Sequence, residues 1–343
     1  MPKGWTLVEL LVSMALGLLI IAGIGQIYLA AKRSYEIQYS IAQLQEVGRY
    51  ATEVLTQDIR RAGYWGLANI DAFTLAAYSG YASPDNAQPP DETCPNGNDF
   101  WGRMITGKVV GLNDTAVGYN CLNSNYKQGD IITLRYADPS PITAFDPDTL
   151  YLRSTPFRSS LVFGDPGLCT PPAVGCTYVN LVPAADTVFS DNKVEAHAYY
   201  VTNSSTATQC GDPSAPALPA LAQESLSTGP STPGFPVKSE LVTGVEQLQF
   251  QYGVDFAMST MTPAGDGSVD QYFNANQINI ACGGGSPCWD QVRSVRFWIL
   301  VRTDCPDGSY TDNNTYNMGD LPPYTPNDSF RRALYTSTVS IRN

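Results

Sequence analysis

The chain has 343 residues, 43% of them hydrophobic and only 15% charged, a balance that excludes a disordered or fibrous polypeptide. Its formal net charge of −12 excludes a broad nucleic-acid footprint, which needs a basic domain. Gly and Pro are frequent, at 29 and 25 residues, and point to a β protein rich in turns.

The first element is apolar. Trp5 to Ala31 reads WTLVELLVSMALGLLIIAGIGQIYLAA and holds a single charged side chain, Glu9. A bilayer core needs roughly 20 consecutive apolar residues, so this run is long enough to cross one. Only Met1-Pro2-Lys3-Gly4 precedes it and no A-x-A-like site follows, which sets it apart from a conventional secretory signal. A carboxylate in hydrocarbon costs about 3 kcal/mol or more, so Glu9 either reaches the interface by snorkelling or calls for a partner.

The helix is predicted to continue past the apolar run. Ile37, Ile41, Leu44, Val47, Ala51, Leu55, Ile59 and Ala62 recur at three- and four-residue spacing and mark one face for packing. Arg60 and Arg61 suit the negative end of the helix dipole, and Gly63 is placed to stop the helix.

After Gly66 turn-rich stretches separate strand-like runs at Asp130–Tyr136, Thr149–Arg153, Lys193–Thr202, Glu240–Tyr252, Gln291–Arg302 and Tyr335–Arg342. Leu248-Gln249-Phe250-Gln251-Tyr252 alternates apolar and polar, as a half-buried strand requires. In the last run Val339 and Ile341 take the core side. Asn203 to Pro236 lacks periodicity and reads as a long surface loop. One helix followed by strands predicts an α+β fold with a largely antiparallel sheet.

The eight cysteines are Cys94, Cys121, Cys169, Cys176, Cys210, Cys282, Cys288 and Cys305, with no C-x-x-C pair and one histidine in the chain. That disfavours zinc and favours disulfides in an oxidising compartment. Eight cysteines allow on the order of a hundred connectivities. The preferred set is Cys94–Cys121, Cys169–Cys176, Cys210–Cys305 and Cys282–Cys288.

Few constellations carry chemistry. Asp255, Asp266 and Asp270, with Gly265 and Gly267, could ligate calcium, but Asp and Gly are also ordinary turn residues, and no cofactor is expected. Gly283-Gly284-Gly285 lacks the lysine of a phosphate loop. His197 lies in a strand-like run beside Tyr199 and Tyr200 and reads as a packed or surface histidine, not a catalytic base. Arg293, Arg296, Arg302, Arg331, Arg332 and Arg342 crowd the C-terminal third and read as a strand face with acidic partners, DNA being the less favoured partner.

The string Gly4-Trp5-Thr6-Leu7-Val8-Glu9-Leu10-Leu11-Val12 resembles the class III signal of type IV pilins and type II secretion pseudopilins. Asp58-Ile59-Arg60-Arg61-Ala62-Gly63-Tyr64-Trp65-Gly66, the run Leu241 to Gly253 and the ending Thr336 to Asn343 are similar to segments of PilW-type minor pilins. The family usually has Phe where this chain has Trp5. The resemblance implies that a prepilin peptidase cuts after Gly4, that Trp5 becomes the methylated first residue, and that Glu9 faces the amine of Trp5 on a neighbouring subunit.

These readings make one set of expectations. Residues 1–4 form a leader, 5–31 a transmembrane and filament-core segment, 32–63 an amphipathic continuation, and 64–343 a β-rich head with a loop at 203–236. The chain is expected to be a non-enzymatic minor pilin that primes pilus assembly and sits at the tip, serving adhesion or twitching motility. Its partners would be other minor pilins, the major pilin and the prepilin peptidase. It would lie in the inner membrane with a periplasmic head before assembly, then in the extracellular pilus. The alternatives are a type II secretion pseudopilin, a tip adhesin or DNA-uptake module, and a membrane-tethered enzyme.

Overall fold

The structure is a computed structural model that describes residues 6–68, 107–116, 126–142, 146, 149–156, 159–163, 188–226, 236–256, 267–281 and 289–341. A single helix, α1 (Leu7–Arg61), runs 55 residues without a break, about 83 Å at the usual helical rise. At its C-terminal end the Ala62 N–H donates to the Asp58 carbonyl at 3.0 Å. Gly63 then turns the chain at φ +77°, a conformation in which a side chain is strained, and so ends the helix as its sequence predicts.

Among the described residues eleven strands follow, all paired antiparallel. β1 (Val109–Leu112), β2 (Tyr126–Ala137), β3 (Leu150–Ser154), β4 (Ser159–Phe163), β5 (Ser190–Thr208), β6 (Ala217–Leu226) and β7 (Pro236–Thr243) form the first sheet. Its order is β1-β2-β5-β3-β4, with β6 pairing β5 and β7 pairing β6. β8 (Val245–Val254), β9 (Gln271–Phe273), β10 (Val292–Arg302) and β11 (Arg332–Ser340) form the second, ordered β11-β10-β8-β9. A short helix, α2 (Ala275–Ala281), follows β9. The α+β pilin-like architecture expected from the sequence is therefore present.

Two expectations need correction. The span 203–236 is not one loop, because β5 continues to Thr208 and β6 occupies Ala217–Leu226. Alternation is hard to see there because residues 203–208 of β5 are small, mostly polar and, Ser204 apart, exposed or half-buried, while residues 218–222 of β6 are buried in succession. The earlier part of β5 is buried on both faces. Tyr199 and Val201 enter the main core, while Ala196, Ala198 and Tyr200 enter a second cluster. The run 240–252 is also two strands. Gly244, at φ +92°, breaks it and passes the chain from the first sheet to the second. Its N–H donates to the Pro219 carbonyl in the first sheet, and its carbonyl accepts from the Arg302 N–H in the second.

One core joins the helix to both sheets. Leu44, Val47, Ala51, Leu55, Ile59 and Ala62 of the helix segment meet Ile132, Leu134 and Tyr199 of the first sheet. Leu248, Phe250, Tyr252, Phe297 and Ile299 of the second join the same cluster. Each such aliphatic side chain contributes roughly 1.5–3 kcal/mol on burial, which fixes the head on the helix. The buried stripe starts at Leu44, not at Ile37, since Ile41 remains 44% exposed. Val339 and Ile341 take the core side as their parity predicts.

Candidate assembly surface on the N-terminal helix

The helix has two unlike halves. From Leu7 to Leu29 its large apolar side chains are exposed, and a window of this stretch has a mean hydropathy of 2.5 with none of it buried. Length and composition suit a membrane span. Gly17, Gly23 and Gly25 have nothing within reach of an added Cβ, so this half is a bare rod carrying no part of the head.

Glu9 lies at the start of that rod. Thr6 caps the helix, and its hydroxyl accepts the Glu9 N–H at 3.4 Å. The Glu9 carboxylate in turn accepts the Thr6 N–H at 3.0 Å and the Thr6 hydroxyl at 2.9 Å. This reciprocal capping box satisfies two helix-end donors. It also holds the carboxylate, itself exposed, at the first turn of the helix. Gly4 and Trp5 lie outside the described residues.

The head grips the other half. Tyr335 of β11 lies against Gly48, where an added Cβ would stand 2.0 Å from the Tyr335 ring, and the Tyr335 hydroxyl donates to the Leu44 carbonyl at 3.0 Å. Asp58, buried in the last turn of α1, accepts from the hydroxyl of Tyr136 on β2 at 2.9 Å, from the Tyr199 hydroxyl, and from Nδ1 of His197, both on β5. Burial pushes its carboxyl up, but the His197 hydrogen bond and charge, with the two tyrosine hydroxyls, outweigh that and hold it below the ordinary aspartate value. Gln223 of β6 donates to the Tyr199 hydroxyl at 2.7 Å and extends the network across the sheet.

A third anchor is covalent. Cys210, just after β5, is bonded to Cys305, just after β10, with Cα atoms 4.9 Å apart, so the bond ties one sheet to the other. Beside it Gln43 of the helix donates to the Asp304 carboxylate at 2.7 Å. This is one of the four pairings preferred from the sequence. The other six cysteines lie outside the described residues.

The family model described as PilW, type IV pilus-assembly protein W, matches residues 198–343, less than half of the chain. The match supports a PilW-type type IV pilus protein. It spans most of β5, all of the second sheet, the disulfide and the C-terminal segment, and leaves α1 outside. No curated protein and no solved structure matches the chain. A pilus-assembly family of this kind implies interaction with other pilus components. With the apolar helix it fits a membrane-anchored pilus protein.

The remaining candidate residues have local partners. Asp255, 1% exposed, accepts the Gly267 N–H at 3.0 Å and Arg293 Nε at 3.2 Å on one carboxylate oxygen. Asp270 accepts the Phe256 N–H at 2.8 Å. Asp266 lies outside the described residues. The C-terminal arginines are engaged by acids or rings: Arg302 and Arg332 meet Glu246, Arg331 meets Asp307, and Arg296 lies over Tyr272. Arg342 lies outside the described residues.

Asp58 and Gly48 escaped the sequence reading. Asp58 stands seven residues after Ala51 and three after Leu55, on the packing face, so a carboxylate inside that stripe was the available signal. Gly48 interrupts a helix in the same way, and a glycine there has a packing reason.

Proposed function

We propose that the chain is a minor pilin of a type IV pilus, cut after Gly4 and inserted in the inner membrane through the apolar half of α1, with the head on the periplasmic side. It then enters the filament with other pilins and primes assembly from the tip, without catalysis of its own. The observation that carries this reading is the division of one unbroken helix. Its first half offers only exposed apolar surface and one carboxylate, while its second half is gripped by the head. Such a rod has its remaining contacts to make with lipid or with other helices. The capping box holds the Glu9 carboxylate at the first turn of the helix, which supports a pairing with the new N-terminus of a neighbour. In low dielectric a carboxylate and an amine attract far more strongly than in water, which favours one register.

The test is mass spectrometry of sheared filaments from cells with and without prepilin peptidase. A peptide beginning at methylated Trp5 is expected only when the peptidase is present, and Glu9→Gln is expected to reduce incorporation to background while membrane insertion persists. A chain that keeps Met1 and never leaves the membrane would overturn the reading.

A further inference from the structure

Where β1 ends, the chain turns through Asn113 and Asp114, the latter at φ +49°. This corner of the first sheet abuts β8 of the second and the C-terminal segment at Gly319 and Asp320. Asp130 of β2, 1% exposed, accepts the Asp114 N–H at 3.0 Å and the Phe250 N–H at 2.7 Å. Asp114 accepts from the Gln249 amide at 2.8 Å, and Asp320 accepts from the Asn113 amide at 3.1 Å. Among the described residues no salt bridge reaches Asp114, Asp130 or Asp320.

Two amide oxygens at the same corner have no hydrogen-bond partner among the described residues. Gln249 is fully buried, and its nitrogen is committed to Asp114. That fixes the amide orientation and turns Oε1 toward the Gly319–Asp320 segment, where a Cβ on Gly319 would stand 3.4 Å away from it. Gln249 Oε1 has no hydrogen-bond partner among the described residues. Asn113 is held in the same manner by Asp320, and its buried Oδ1 also lacks a partner among the described residues. An unmet buried acceptor costs about 1–3 kcal/mol, and a buried carboxylate without a counter-charge costs more. The corner therefore collects oxygen acceptors and negative charge, and lacks a positive group.

Hard divalent cations bind such sets. Calcium takes six to eight oxygens, drawn from carboxylates, Asn and Gln carbonyls, backbone carbonyls and water. Among the described residues no three Asp, Glu, His or Cys side chains make a cage by themselves, so a shell here has to mix carboxylate with amide oxygen. We propose that a calcium ion binds at this corner, held by Asp114 and Asp320 with the free oxygens of Gln249 and Asn113, above the buried carboxylate of Asp130. The ion joins the β1–β2 edge of one sheet to β8 and the C-terminal segment of the other. The site is separate from Asp255, Asp266 and Asp270, and it does not depend on the pilus reading.

The experiment uses the full chain in detergent, stripped with chelator and titrated calorimetrically with calcium chloride, and with magnesium chloride as contrast. One calcium per chain is expected, with a rise in Tm at saturation and weaker binding of magnesium, which demands tighter octahedral geometry. Asp320 is exposed, so Asp320→Asn is expected to unfold like the parent in chelator yet bind calcium about tenfold more weakly or worse. Asp270→Asn is expected to leave the affinity unchanged. No saturable binding by the parent chain, equal affinity in Asp320→Asn, or loss confined to Asp270→Asn would each overturn the proposal.

Discussion

Lys108 enters the head just before β1 with 1% of its surface exposed. Burial and then the nearby Arg293 push its amine down to about 8, with Asp290 acting in the opposite sense. The unfolded chain therefore holds the extra proton between about pH 8 and the ordinary lysine value of about 10.4. Stability rises with pH across that window, and below pH 8 the full penalty of a buried ammonium applies. Lys108→Met is expected to raise stability at pH 7 on the order of 1–3 kcal/mol and to flatten the profile between pH 8 and 10. Urea unfolding at a series of pH values reads both effects, and an unchanged slope would show that the amine is solvated. Arg332 is the opposite case. Its side chain is fully buried, yet it reaches Glu246 at 2.5 and 3.1 Å, Asp328 at 2.6 and 2.7 Å and Asp312 at 3.4 Å. Its hydrogen bond also holds the Asp328 carboxyl below the ordinary range. Removing it would take the counter-charge from the buried Asp312 carboxylate, the costly way to break an ion pair.

At the scale of elements, the contact of α1 with β11 is set by one missing Cβ. Alanine favours a helix over glycine by about 1 kcal/mol, so helix propensity alone makes Gly48→Ala stabilising. The Tyr335 ring, tethered by its hydroxyl to the Leu44 carbonyl, reverses that sign. We expect Gly48→Ala to lose about 1–3 kcal/mol in chemical denaturation, the usual range for overpacking. A variant as stable as the parent would mean that the ring swings aside freely. The helix itself was legible from the sequence, from its start in the apolar run to its stop at Gly63, because hydropathy and 3.6-residue spacing are local signals. Strands β2, β3, β10 and β11, and β5 up to Thr202, were legible within a few residues for the same reason. β6 was not, since it is covered on both faces and shows no alternation. Gln249 shows the limit most clearly. Its parity in β8 reads as solvent-facing, yet it is fully buried, because Gly319 and the C-terminal segment cover that face of the second sheet.

Across the whole molecule, the two sheets are held by a shared core, by the chain passage at Gly244 and by Cys210–Cys305, which spans 95 residues of sequence. A cross-link that closes so long a loop restricts the unfolded chain. Cys210→Ser with Cys305→Ser is therefore expected to lower stability by about 2–4 kcal/mol, measured by denaturant unfolding under non-reducing conditions. A loss near zero would mean that core burial alone sets the sheet packing. The sequence by itself determined a membrane-length helix that continues into a packing face, an α+β fold and a C-terminal part similar to the PilW family. All three are written in runs of neighbouring residues. Only the tertiary structure decided which polar groups are buried and who meets them: Asp58 with His197, Arg332 with three carboxylates, and Gln249 with an oxygen left over. The physical reason is that burial depends on what lies over a strand face, and that cover comes from residues far away in the chain, whose approach no local pattern records.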